Sequence, residues 1–194
     1  MKSGLSLVDI LTGLYTSTAV LAALRHRDNG GAGQHLDISP VDCGIASMSH
    51  YVENFLVSGE VPERRGNGGF GGIPSQAFLC SDGQQIFLVA TTNPQFTRAC
   101  AAVGQPDLID DPRFNSIAAR IEHRLELLDI LEKVFIQRPA RTWIEALEAV
   151  DVPVSPVNDI RSALEDPQVR HRQMQISMDH GQLARYRVYG IPCE

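Results

Sequence analysis

The sequence predicts a mixed α/β chain: a helix–strand–helix portion of a larger α/β layer, then a small α+β domain built around an antiparallel hairpin. Three observations predict it. Residues 1–58 carry two helical patterns on either side of one short β-like run. The stretch Arg65–Pro74, "RGNGGFGGIP", is half glycine and interrupts all periodicity. Beyond it, two alternating runs flank Ser81-Asp82-Gly83, a strong hairpin signal, and amphipathic helices follow.

Taken in order, residues 3–27 read as a helix. Leu7, Ile10, Leu11, Leu14, Leu21 and Leu24 fall at helical spacing, and Gly13, Ala19, Val20, Ala22 and Ala23 fill other faces. So little of it is polar that burial nearly all round is expected. Arg25, His26 and Arg27 suit the negative end of the helix dipole, and Gly30, Gly31 and Gly33 end the helix. Gln34–Ser39 reads as a strand. Pro40–Ser58 reads as one helix, with Ser39 as cap, Pro40 at its first position and Gly59 as its stop.

Ser75–Cys80 and Gln84–Thr91 are the hairpin strands. Asn93-Pro94 resembles a cap followed by a first-turn proline, with Gly104 closing that helix. Asp111–Phe114 is a turn. Residues 116–137 read as one amphipathic helix, with Ile117, Ile121, Leu125, Leu128, Leu131 and Phe135 inward and Arg120, Glu122, Arg124, Asp129 and Lys133 outward. Pro139–Val150 is a helix carrying the only tryptophan, Trp143. Residues 152–157 are extended, because each proline restricts the residue before it. A short helix near Asp159–Glu165 and a weakly patterned tail complete the chain. The implied organisation is a partial large domain at 1–58, a glycine-rich linker at 59–74, a small α+β domain at 75–160 and a return segment at 161–194.

At 194 residues the chain has room for one large or two small domains. Hydrophobic residues make up 43% and charged residues 21%, enough for a core. A net charge of −6 disfavours nucleic acid as a partner. No apolar run approaches the ~20 residues that span a bilayer, and no signal-peptide pattern opens the sequence. A cytoplasmic protein without a membrane partner is the expectation. Cys43, Cys80, Cys100 and Cys193 match no zinc or redox spacing and read as buried apolar residues. The six histidines form no ligand pair, so no metal is expected.

Several stretches, in this order, resemble the class III (CaiB/BaiF-type) CoA-transferases, the family of formyl-CoA transferase, carnitine CoA-transferase and α-methylacyl-CoA racemase. They are residues 3–39 ("SGLSLVDILTGLYTSTAVLAALRHRDNGGAGQHLDIS"), 66–78 ("GNGGFGGIPSQAF"), 111–124 ("DPRFNSIAARIEHR"), 152–160 ("VPVSPVNDI") and 165–174 ("EDPQVRHRQM"). The resemblance implies a Rossmann-like large domain that holds most of the CoA site, and an interlocked homodimer. Family members are about twice this length, so the chain reads as an internal or truncated portion. Activity in isolation is then in question. The implied partners are an acyl-CoA and a carboxylic acid, with coenzyme A as substrate and no tightly bound cofactor.

Asp9 is the only carboxylate among residues 1–27. By its residues alone it is a helix cap or a functional acid, since an unused carboxylate in apolar surroundings is costly. By resemblance it matches the family's nucleophile. That implies attack on the acyl-CoA thioester, a mixed anhydride, then an aspartyl-CoA thioester. The glycine run is either a plain linker or, by resemblance, a cover over that aspartate. The cover reading draws on Gly68, Gly69, Gly71 and Gly72, with Phe70 as a plug or an exposed aromatic. Arg64 and Arg65 are candidates for a substrate carboxylate. Arg25, His26 and Arg27 are either a solvated helix end or a contact for a CoA phosphate. In the racemase branch a glutamate resembles Asn93. Asparagine takes up no proton as a base, which favours transferase over racemase. A non-catalytic dimerising module is the remaining alternative.

Overall fold

The structure, a computed structural model, describes residues 4–64, 66–68, 71–179 and 185–189. Two compact units divide it, residues 1–64 and 65–194.

The first unit is three helices: α1 (Leu7–Asp28), α2 (Pro40–Ser47) and α3 (Ser49–Ser58). Ser39 caps α2 by accepting from the Val41 N–H at 3.2 Å, with Pro40 in the first turn. Gly59 ends α3 in the left-handed conformation, φ 74°. Three readings of the sequence are corrected here. The helix read over 40–58 is two, parted at Met48, whose φ of −90° and ψ of 16° leave the helical range. Gln34–Ser39 forms no strand, because no described segment pairs with it. And no residue of α1 is buried: Leu7, Ile10, Leu14, Leu21 and Leu24 are all exposed, since α2 is the one helix packed along it to any extent.

Helix α1 reads as apolar even at its hydroxyls, for a physical reason. Thr12, Thr16, Ser17 and Thr18 each donate to the carbonyl four residues back, at 2.7–2.9 Å. Their polar groups are satisfied within the helix and ask nothing of the surroundings. By length and composition α1 is apolar enough to cross a membrane. This corrects the reading that no apolar run approaches the length of a bilayer span.

The second unit is built on a three-stranded antiparallel sheet in the order β1 (Ser75–Leu79), β2 (Gln85–Val89), β3 (Val154–Pro156). Ser75 pairs with Val89 and Leu79 with Gln85. The Ser81-Asp82-Gly83 turn supports this register, with Gly83 at φ 76° and its N–H donating to Cys80 O at 3.0 Å. Asp82 does more than turn the chain. Its carboxylate also accepts from the Ala140 N–H at 3.2 Å, tying the hairpin to the start of α7 (Ala140–Glu148).

One face of the sheet presents Phe78, Ile86 and Leu88 to the helices α4 (Asn93–Ala102), α6 (Arg124–Phe135) and α7. Phe135 lies at their centre. It stacks against Phe78 at 4.7 Å and meets Trp143 edge-on at 5.4 Å, and its carbonyl accepts from the indole N–H at 2.9 Å. Helices α8 (Ile160–Glu165) and α9 (Pro167–His171) follow, then a second hairpin of β4 (Gln175–Asp179) and β5 (Arg185–Tyr189), absent from the sequence reading.

The stripe read along 116–137 needs correction. At His123 the chain breaks into α5 (Ile117–Glu122) and α6, and the break resets the helical phase. Leu127 and Val134 join Leu128, Leu131 and Phe135 in the core, whereas Ile117, Ile121 and Leu125 are exposed. Arg120, read as outward, is fully buried. Leu127→Ala should therefore cost about 2–5 kcal/mol through the cavity it leaves. Leu125→Ala, at a side chain 82% exposed, should stay within ~0.5 kcal/mol. Urea unfolding followed by Trp143 fluorescence measures both.

Candidate functional site

In the first unit the residue of interest is Asp9. It is neither the cap nor buried. The cap position is Ser6, whose side chain makes no capping bond, and Asp9 sits in the first turn of α1 with its side chain exposed. It forms no hydrogen bond or ion pair with any described residue. The first-turn N–H groups of a helix have no partner within it, and their dipole favours a negative charge there.

The other end of α1 is locally committed. Arg27 pairs with its neighbour Asp28 at 2.9 Å. The His26 ring fills the space beside Gly31, where a methyl group would come within 2.3 Å of it. Gly30 turns the chain at φ 88°. These contacts favour the helix-end reading of Arg25–Arg27 over a phosphate contact. The sequence reading missed a cleft of about 270 Å³ in this unit, walled by Tyr15 and Ala19 of α1, Cys43 and Ala46 of α2, and Asp37 and Asp42. Its two carboxylates make it a poor seat for a phosphate.

In the second unit the glycine loop leads into β1. Arg65, Gly69 and Phe70 lie outside the described residues. Gly68 is half-buried. Gly71 has φ 106°, which L side chains rarely adopt. Gly72 is required for a different reason: a Cβ there would lie 2.7 Å from Thr91 Cβ and 2.9 Å from the Thr91 carbonyl oxygen. The loop's exit is thus pressed against Thr91, two residues beyond β2.

Beneath that exit lies Arg120, which sequence reasoning had placed in solvent. Its Nε–H donates to Ile73 O at 2.9 Å and its Nη1 to Phe114 O at 2.9 Å. Its Nη2 donates to Thr91 O at 3.2 Å and to Asn93 Oδ1 at 3.0 Å. The guanidinium also lies over the Phe96 ring, 4.4 Å from its centroid. All four acceptors are uncharged. Burial lowers the Arg120 pKa from its ordinary value, opposed by the nearby Cys100.

Asn93 is therefore not the cap of α4. Thr92 is, in a reciprocal capping box with Gln95, and Asn93 is freed to accept from Arg120. The periodicity gave no hint of this: an arginine between Ala119 and Ile121 on a helical pattern looks like any exposed position. The described thiols Cys43, Cys80 and Cys100 are buried and unpaired. Burial pushes Cys100 up to about 12 and also raises Cys80, so neither is a ready nucleophile. Cys193 lies outside the described residues. Gly72→Ala should destabilise the second unit by about 1–3 kcal/mol, because the clash is with backbone and does not relax cheaply. A lowered urea midpoint read by Trp143 fluorescence is the expected result.

Comparison with known proteins accounts for the whole sequence. The pattern of CoA-transferase family III matches residues 1–194. Human succinyl-CoA:glutarate CoA-transferase is 30% identical over 98% of this chain and 43% of its own length. The succinate–glutarate CoA-transferase of Agrobacterium fabrum is 33% identical over 92% of this chain and 44% of its own. The chain thus spans somewhat under half the length of these relatives. The crystal structure of a CaiB/BaiF family protein from Brucella suis superimposes with a TM-score of 0.76, at 29% identity, over 96% of this chain and 52% of that one. The chain belongs to CoA-transferase family III.

Proposed function

We propose that the protein transfers CoA between an acyl-CoA and a carboxylic acid, with Asp9 as the nucleophile. The observation that carries this reading is Asp9 itself, an exposed carboxylate in the first turn of an apolar helix, unpaired among the described residues. A carboxylate nucleophile has no proton to lose, so it needs no general base beside it, unlike a serine. An Asp9 oxygen attacks the thioester carbonyl carbon, the C–S bond breaks, and CoA leaves as the thiolate with a mixed anhydride behind it. The thiolate then attacks the Asp9 carbonyl carbon, expels the first carboxylate and forms an aspartyl-CoA thioester. The acceptor carboxylate repeats the two steps in reverse and departs as the new acyl-CoA. The names of the relatives make succinyl-CoA and glutarate the first pair to test.

In this proposal the glycine loop excludes water from the anhydride and thioester, both of which hydrolyse readily. Gly68, Gly71 and Gly72 supply the close backbone approach, and Gly69, Phe70 and Arg65 belong to the same loop. The residues of the first unit belong to a Rossmann-like large domain that binds most of the CoA. Incubated with succinyl-CoA and then hydroxylamine, the active assembly should yield a modified Asp9, and Asp9→Asn should abolish both the trapping and the turnover. Turnover that survives Asp9→Asn ends the covalent mechanism.

Assembly as a homodimer is the second part of the proposal. Leu7, Ile10, Leu14, Leu21 and Leu24 stand exposed on α1. Burying each is worth roughly 1.5–3 kcal/mol, a large sum beside a typical stability of about 5–15 kcal/mol. Pairing through residues 1–58 of two copies removes that cost most simply. Sedimentation of the whole chain should give a dimer, and a fragment starting at Pro74 should remain folded and monomeric. A dilute, stable monomer of the whole chain overturns this part.

A further inference from the structure

We infer that Arg120 is a positioning residue for the glycine loop, its guanidinium fixing the loop's exit through the carbonyls of Ile73 and Thr91. The inference rests on the proposed role of the loop as a cover.

Arg120 is an unusual use of a charge. It is fully buried and, among the described residues, meets no carboxylate, only the oxygens of Ile73, Phe114, Thr91 and Asn93. Where stability alone is at stake, a buried charge is often replaceable by a well-packed apolar side chain at no loss. An apolar side chain does not bond three separate backbone segments from one rigid plane, and the arginine fork does. Two of those segments form the loop's exit. Ile73 directly follows Gly72, and Thr91 supplies the surface on which Gly72 is packed. The position of Thr91 therefore sets the slot that Gly72 occupies, and Arg120 sets the position of Thr91.

The neighbouring contacts fit this role. The Phe96 ring, 4.4 Å away, fixes the plane of the guanidinium. The Ala90 N–H donates to Pro74 O at 2.9 Å, continuing the junction by one residue on each strand. Gly71, at φ 106°, stands just before the fixed point. One end of the loop is thus held to the sheet and to α4 through a single side chain.

Hydrogen exchange on the full chain tests this. The Arg120 Nε–H should exchange slowly in the wild type. Arg120→Lys keeps the charge and loses the fork. It should speed exchange of the Ala90 amide about ten- to a hundredfold, the loss of about one charged hydrogen bond, while Leu131 in α6 is unchanged. A merely structural role predicts equal acceleration at Ala90 and Leu131, and that result overturns the inference, as does no change at Ala90. If Arg120→Lys does not fold, the exposed Asn93→Ala serves. Faster exchange of the Arg120 Nε–H in that variant supports the clamp. An Nε–H that already exchanges at the rate of a free guanidinium in the wild type overturns it. The cover reading fails separately, if Gly71→Val leaves the ratio of CoA transfer to thioester hydrolysis unchanged in the active assembly while the Ala90 result stands.

Discussion

The fold of the second unit turns on one buried charge. Taking a guanidinium out of water costs several kcal/mol even after relaxation, and no described carboxylate pairs with Arg120 to offset that. Its compensation is four hydrogen bonds, each worth about 1.5–3 kcal/mol when one partner is charged. The surrounding elements are arranged so that those four acceptors exist. The Asp111–Phe114 turn, closed by the Phe114 N–H on Asp111 O at 2.8 Å, aims the Phe114 carbonyl. Ser116 caps α5 and sets the rotation that brings Arg120 inward. Thr92 takes over the capping of α4 and leaves the Asn93 amide free. Removing the guanidinium would take the shared partner from four oxygens on three stretches of chain.

What was legible in the sequence was local. The Ser81–Gly83 turn, the Ser39–Pro40 cap and the stops at Gly59 and Gly104 each depend on a few adjacent residues, and each stands where it was read. What was not legible depends on partners distant in sequence. Gln34–Ser39 has strand-like residues, but a strand also needs a neighbour, and none is described. Arg120 is 47 residues from Ile73 and 27 from Asn93, so no window of periodicity registers the contact. The breaks at Met48 and His123 each divided a pattern that looked continuous, and the second moved the core face from Leu125 to Leu127. Asp9 was legible by composition, as a lone acid in an apolar segment. Its environment was not, because exposure and pairing belong to the fold.

The two units bury themselves very differently. The second has a continuous core from Ile73 to Val152 that joins the sheet's buried face to α4, α6 and α7. Among its described residues the first buries one side chain, that of Cys43. Its apolar surface lies on α1, where the hydroxyls of Thr12, Thr16, Ser17 and Thr18 turn back on their own helix. A helix that satisfies its own polar groups is suited to contact on every side, and a unit with so little core of its own is suited to be one part of a larger layer.

That contrast bears on the proposed chemistry. A nucleophilic carboxylate needs no base, and among the described residues Asp9 has none within bonding distance. The demand shifts from activating the nucleophile to protecting what it forms. An exposed aspartyl anhydride reacts with water or with the thiolate just released, and only exclusion of water makes transfer win. Asp9 in the first turn of α1 supplies the carboxylate and an end of a helix dipole, but no shelter. Shelter has to come from backbone that approaches closely without side chains of its own, and from a fixed anchor that returns it to the same place each time. Gly71 and Gly72 are backbone of that kind, and the Arg120 hydrogen bonds hold the exit of their loop in place. On this reasoning the selectivity of the proposed reaction resides as much in the small sheet domain as in the residue that carries the acyl group.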